Sequence, residues 1–162
     1  MPEAPEPILP LRRPAMLLAT WFGAGRLPGM PGTWGSLAAL PFAWVIEVFA
    51  GRSGLVIAGV VLFGIGCWAA ERACRSLGKE DPGEIVIDEV AAQWLVLAAA
   101  PQGLLAYAAG FVLFRLADIL KPWPASWADR TIHGGLGVML DDILAGLYAA
   151  LGLFILARFD LV

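Results

Sequence analysis

Long apolar stretches alternate with short polar segments along the chain. Leu27–Ile46 carries no charge but contains Pro28, Pro31 and Pro41, so its helix is expected to begin near Ser36. Gly54–Ala70 is uncharged over 17 residues, Val90–Phe114 over 25 with Pro101-Gln102-Gly103 inside it, and Ile143–Ala157 over 15. A membrane-spanning helix needs about 20 apolar residues, and the ends of these stretches can extend into their charged flanks. The pattern predicts five short helices, over about 36–50, 54–75, 86–100, 104–120 and 140–158. Gly51-Arg52-Ser53 and Pro101-Gln102-Gly103 read as tight turns between antiparallel neighbours. The expected fold class is all-α: a compact bundle of short apolar helices, integral to or embedded in the membrane, with polar loops on one face.

Composition supports that picture. The 162 residues are 59% hydrophobic and 15% charged, against about 45–50% and 25% in ordinary soluble chains. A chain this short cannot bury so much apolar surface in one core. A soluble helical bundle nevertheless stays open, because the apolar runs are short. The formal net charge of -3 disfavours a nucleic-acid partner, which needs a basic footprint. Cys67 and Cys74 stand seven residues apart on one helix, too far for a disulfide, and read as small buried hydrophobes. With His133 as the single histidine, no zinc-type cluster forms. Residues 1–14 are proline-rich, with acids ahead of the arginines, and are expected to be a mobile tail rather than a cleaved signal; residues 15–162 are expected to form one domain.

If the helices alternate in direction, Arg12, Arg13, Arg26, Arg72, Arg75, Lys79, Arg115, Lys121 and Arg130 share one side. The other side holds Arg52 and Arg158, and nine against two is the bias of a cytoplasmic face. Most of the acids fall on the same side. The residues Trp34, Trp44, Trp94, Trp123 and Trp127 lie near segment ends, as an aromatic interface belt would. Gly59, Gly66, Ala98 and Gly110 suit close helix packing.

Three polar segments interrupt the apolar pattern. Gly23–Ser36 packs glycines and prolines with Thr33 and Ser36 ahead of the first long helix. Ser36 is a candidate N-cap, and the loop reads equally as a capped turn or a phosphate contact. In the second segment Asp88 and Glu89 adjoin 25 uncharged residues. Capping explains one such acid, but a carboxylate at the edge of hydrocarbon is by default functional. The third runs from Phe114 to Asp142. Arg115 and Asp118 share a helical face as a candidate surface ion pair, with Lys121 extending it before Pro122. Asp129 and His133 are spaced to pair, and Asp141-Asp142 again places two acids before an apolar helix.

Two acidic pairs on one side of the membrane repel unless a cation or proton lies between them. Oxygen donors without sulfur select Mg²⁺, Mn²⁺ or Ca²⁺. With Arg115, Lys121 and Arg130 as phosphate partners, the set describes phosphoryl chemistry on a lipid headgroup. A non-enzymatic reading, a divalent-ion channel subunit or scaffold, also uses membrane acids. It would place them in mid-helix, whereas here only Glu47 lies deep in an apolar segment.

PGTWGSL (Pro31–Leu37), IVIDE (Ile85–Glu89), FRLADILKPWP (Phe114–Pro124) and GGLGVMLDDILAG (Gly134–Gly146) together resemble the phosphatidylglycerophosphatase A family of bacterial membrane lipid phosphatases. The similarity runs from about Leu17 to Gly146. One departure is Ala92, where the family usually has glycine shortly after the IVIDE acids. The resemblance implies hydrolysis of phosphatidylglycerol phosphate to phosphatidylglycerol and phosphate. It also implies Mg²⁺ dependence and a multi-pass place in the bacterial inner membrane, with the site facing the cytoplasm. Membrane lipids are then the partners, and no obligate protein partner is indicated. By position, Asp88, Glu89, Asp118, Asp141 and Asp142 are the expected catalytic acids, with Asp88, Asp141 and Asp142 holding metal. Thr33, Ser36, Arg115, Lys121 and Arg130 are the expected phosphate contacts. Glu89 or Asp118 is the expected general base. An aspartate nucleophile with a phospho-aspartyl intermediate remains the alternative to an activated water.

Overall fold

The structure, a computed structural model, describes residues 13–162. Among these, all regular structure is helical: α1 (Pro14–Ala19), a 3₁₀ turn (Ala24–Arg26), α2 (Pro31–Leu77), α3 (Ile87–Leu97), α4 (Leu104–Leu120), α5 (Ala125–Thr131) and α6 (Gly134–Arg158). The tail expected over 1–14 lies, up to residue 12, outside the described residues, and Pro14 opens α1.

The two helices expected over 36–50 and 54–75 are the arms of α2, which break at Gly51 (φ 63°, ψ -172°). That backbone suits glycine and reverses the chain in one residue. The first arm starts at Pro31 rather than near Ser36. Proline at N1 loses nothing there, because the first helical N–H groups have no partner within the helix. Ser36 is therefore not an N-cap but a buried residue of the second turn.

Contacts fix the helix directions. Val86 packs on Gly35, the Trp94 indole N–H donates to the Ala39 carbonyl (3.0 Å), and Gln102 donates to the Trp44 carbonyl (3.0 Å). So α3 runs beside the first arm in the same direction. Gly135 meets Cys67 and Glu71, and Met139 meets Gly66, so α6 runs antiparallel to the second arm. Gly110 packs on Leu97 and Leu153, and Arg115 reaches Glu89, so α4 runs against both α3 and α6. The directions alternate, as the charge count assumed.

The helices meet through small residues. A side chain on Gly59 would collide with Leu95, and one on Gly66 with Met139. Ala92 stands opposite Gly146, so the glycine of this α3–α6 contact is on α6. Trp94 is core rather than belt, 6% exposed and edge-on to Trp21. Its hydrogen bond supplies the partner a buried indole needs. Apolar side chains also cover the outside: Val48, Phe49, Ile57 and Val60 on α2, Leu105, Val112 and Leu116 on α4, and Leu147, Leu151 and Phe154 on α6 are exposed. Helices α2 and α6 are long and apolar enough to cross a membrane. A contiguous exposed apolar surface of this kind belongs against lipid.

Candidate active site

The polar ends gather on one face, where α2 starts and finishes, α3 and α6 begin, and α4 ends. Asp88 and Glu89 occupy the first turn of α3. Asp142 lies two turns into α6, facing α3. One carboxylate oxygen from each of the three falls within 4.8 Å of the others. Asp88 contacts Glu89, and Asp142 contacts Asp118 from the last turn of α4. The cluster is enclosed: Asp88 is 7%, Asp118 9% and Asp142 3% exposed. Oxygens on Asp88 (Oδ1), Glu89 (Oε2) and Asp142 (Oδ2) are buried without a hydrogen-bond donor. Buried polar atoms are normally paired. Three neighbouring carboxylates, each with an unpartnered buried oxygen, form a hard-oxygen donor set that fits a divalent cation such as Mg²⁺.

One cation of the chain lies against this cluster. Arg115 Nη1 is 2.7 Å from Asp118 Oδ2 and 3.7 Å from Glu89 Oε1. The shorter contact is an ion pair by distance but is poorly aligned as a hydrogen bond, so Arg115 Nε and Nη1 keep donor capacity. Gly32 at the start of α2 lies directly over Glu89 and Arg115, and any side chain there would strike both. The glycine-rich segment thus touches the acidic cluster through its backbone.

A second polar neighbourhood adjoins the first. The Lys121 ammonium donates to Asp129 Oδ1 (2.7 Å) and Asp141 Oδ2 (2.6 Å). Lys121 has a left-handed backbone (φ 41°) at the end of α4, a conformation costly for a side-chain-bearing residue and held here by two charged contacts. Burial works to lower its pKa, but the hydrogen bonds to Asp129 and Asp141 outweigh it and the pKa is raised. A cavity of about 170 Å³ opens beside it, lined among others by Asp81, Asp129, Arg130, His133 and Asp141. Asp81 has much exposed surface, yet its carboxyl is crowded: burial first, then Asp129 and Asp118, push its pKa up against the pull of Lys121.

Residues 17–157 match the family description "Phosphatidylglycerophosphatase A". The chain is 43% identical to phosphatidylglycerophosphatase A of Escherichia coli, over 88% of this chain and 83% of that protein. It is 38% identical to phosphatidylglycerophosphatase A of Haemophilus influenzae, over 89% of each. The chain belongs to the phosphatidylglycerophosphatase A family. It is a membrane-associated phosphatase of that family. A Bacteroides thetaiotaomicron relative, 38% identical over 86% of this chain, carries a provisional phosphatidylinositol-3-phosphatase name. No solved structure matches the chain.

The resemblance read from four motifs is therefore confirmed at the level of the family, and the structure sorts the expected site residues within it. Asp88, Glu89, Asp118, Asp142 and Arg115 come together. Asp141 does not join the Asp88–Asp142 group; it accepts from Lys121, which also binds Asp129. Asp141 and Asp142 also lie inside α6 rather than ahead of it. The helix starts seven residues earlier than Asp141, at Gly134, where Glu71 accepts the Gly135 N–H (2.7 Å) and replaces a local cap. Arg115 and Asp118 do pair, but half-hidden in the site rather than on the surface, each side chain under 15% exposed. Asp129 pairs with Lys121 instead of His133, whose neighbour is Glu80 at 3.8 Å. Arg130 lines the cavity and donates to the Ser126 carbonyl. Thr33 is part-buried in the first turn of α2, while the buried Ser36 hydroxyl has no partner. Two contributors went unread in the sequence. Gly32 showed no signal beyond its place in a glycine-rich run. Glu71 carries no local sign of its bond to Gly135; within its helix it also pairs with Arg75.

Proposed function

We propose that this phosphatase hydrolyses phosphatidylglycerol phosphate to phosphatidylglycerol and inorganic phosphate, with Mg²⁺ as cofactor. The carrying observation is the grouping of the Asp88, Glu89 and Asp142 carboxylates, each with an unpartnered buried oxygen, beside an arginine with free donors. The names of the Escherichia coli and Haemophilus influenzae relatives support the substrate. In this reading Asp88, Glu89 and Asp142 hold the cation, which when bound supplies positive charge against the phosphoryl oxygens. The Arg115 guanidinium takes up charge developing on those oxygens. Asp118, set between Arg115 and Asp142, accepts a proton from the attacking water. The water oxygen bonds to phosphorus, the bond from phosphorus to the glycerol oxygen breaks, and a proton passes to the departing alkoxide. Lys121, fixed by Asp129 and Asp141, orients the end of α4 and lends positive charge where the headgroup enters.

The site face is the cytoplasmic one of a multi-pass inner-membrane protein. Among the described residues Arg13, Arg26, Arg72, Arg75, Lys79, Arg115, Lys121 and Arg130 lie on it, against Arg52 and Arg158 on the other.

The test is phosphate release from phosphatidylglycerol phosphate in detergent micelles, with Mg²⁺, with EDTA, and with Asp142→Asn. Release that requires Mg²⁺ and drops at least 100-fold in the variant is the expected result. No release from folded, Mg²⁺-supplied protein overturns the substrate. Undiminished release in EDTA overturns the cofactor.

A further inference from the structure

Away from the acidic cluster, Arg13, Pro14, Ala15, Trp68 and Arg72 line a separate cavity of about 170 Å³ on the same face. None of the acids of the candidate active site borders it. Elsewhere on this face Arg26, Arg75, Arg115 and Lys121 each spend their charge on a carboxylate. Arg13 and Arg72 are both exposed, and among the described residues neither has an acidic partner. Glu71, next in sequence to Arg72, is turned away to Gly135 and Arg75.

The second arm of α2 leads to this cavity along one outward stripe. Val61, Ile65, Trp68 and Arg72 follow one another at helical spacing, the first three 54%, 40% and 47% exposed. The stripe is apolar below, amphipathic at the indole and doubly cationic at its end. An anionic phospholipid has the same order: acyl chain, glycerol ester region, phosphate. Indoles favour the interfacial level, and arginine forks match phosphate oxygens.

We propose that this face holds an anionic phospholipid of the surrounding bilayer. Its phosphate is taken by Arg13 and Arg72, its ester region lies on Trp68, and an acyl chain runs along Val61 and Ile65. With no carboxylate bordering the cavity, the lipid is bound there and not hydrolysed. The site stands independently of which phosphomonoester the acidic cluster takes.

The probe is phosphatidylserine, which is anionic but has no phosphomonoester to lose. Full-length protein in detergent is titrated with phosphatidylserine or phosphatidylcholine, and bound lipid is counted by native mass spectrometry. Each basic side chain near an anionic lipid surface contributes about fivefold in affinity, so two predict about a 25-fold preference for phosphatidylserine. Arg13→Gln with Arg72→Gln should reduce that preference to near one, while Arg52→Gln with Arg158→Gln on the opposite face leaves it intact. Arg72→Gln alone, on an exposed helix surface, should remove about fivefold and serves if the double variant fails to fold. A preference unchanged in Arg72→Gln, or absent from the unaltered protein, overturns the proposal. So does equal displacement of phosphatidylserine by millimolar inorganic phosphate, which would mark a free-anion site.

Discussion

Arg115 pairs with Glu89 and Asp118 in the acidic cluster, and replacing it with glutamine tests whether it holds them together. Its distances of 2.7 Å to Asp118 and 3.7 Å to Glu89 correspond to roughly 6 and 4 kcal/mol of attraction at an effective dielectric of 20. Much of this was spent in taking the charges out of water. Removing only the arginine returns none of the carboxylates' share, so Arg115→Gln should cost about 3–5 kcal/mol. In a chain of this size that is a fall of roughly 6–20 °C in unfolding midpoint, followed by circular dichroism in detergent. Asp118→Asn supplies the second arm of a double-mutant cycle. If the two groups are bound to each other, Arg115→Gln in the Asp118→Asn background should cost at least 1 kcal/mol less than in the unaltered protein. A midpoint shift below 2 °C for Arg115→Gln, or strict additivity with Asp118→Asn, would refute the reasoning and leave Arg115 a solvated neighbour of the site.

Lys121→Met removes two charged hydrogen bonds and leaves Asp141 buried, and should cost about 2–3 kcal/mol. Because the folded-state pKa of Lys121 is raised, its contribution is fully present below the ordinary value of 10.5 and fades only as pH rises through the folded value. The deficit measured by chemical unfolding should therefore be the same at pH 7 and pH 9.5. Gly135→Ala drives a methyl into the Cys67 carbonyl and to 2.6 Å from the Glu71 nitrogen. It should destabilise by about 1–3 kcal/mol and lower phosphatase activity by moving α6. Gly64→Ala, in open space on the outside of α2, should be neutral or stabilise by up to about 1 kcal/mol in the same melt.

The helical class and the one-sided polar face were legible because both rest on charge placement. Twenty-five uncharged residues after Glu89 leave Asp88 and Glu89 nowhere to be but at a helix end. The division of labour within Asp141-Asp142 was not legible. Consecutive helix residues diverge by about 100°, and which of the two faces α3 depends on where α6 begins. That start is set by Glu71, 64 residues earlier in the chain, through a hydrogen bond no local pattern reports. Trp94 was misread for a related reason. Its position near the end of α3 suits an interface belt, but the first arm of α2 covers it and offers the Ala39 carbonyl. The turn read at Gly51-Arg52-Ser53 is there, narrowed to Gly51, whose positive φ does the work of a loop.

Charge balance links this geometry to the proposed chemistry. Asp88, Glu89, Asp118, Asp141 and Asp142 carry five negative charges when ionised, and Arg115 and Lys121 return two. A phosphate monoester brings up to two more negative charges into the same enclosed space. Repulsion there is stronger than in water because the surroundings are less polarisable. In the proposed chemistry a cation in the Asp88–Glu89–Asp142 group offsets this repulsion. The spacing of the acids follows from how closely the helices approach below them. Met139 packs against Gly66, Gly146 faces Ala92 and Val96, and Gly110 packs against Leu97 and Leu153. Small residues in the apolar bundle thus set the spacing of carboxylates at its polar end. On this reasoning a packing variant such as Gly66→Leu, which alters no charged group, should raise the Mg²⁺ concentration needed for activity as well as lower fold stability. An Mg²⁺ activation curve unchanged in a folded Gly66→Leu protein would uncouple the two.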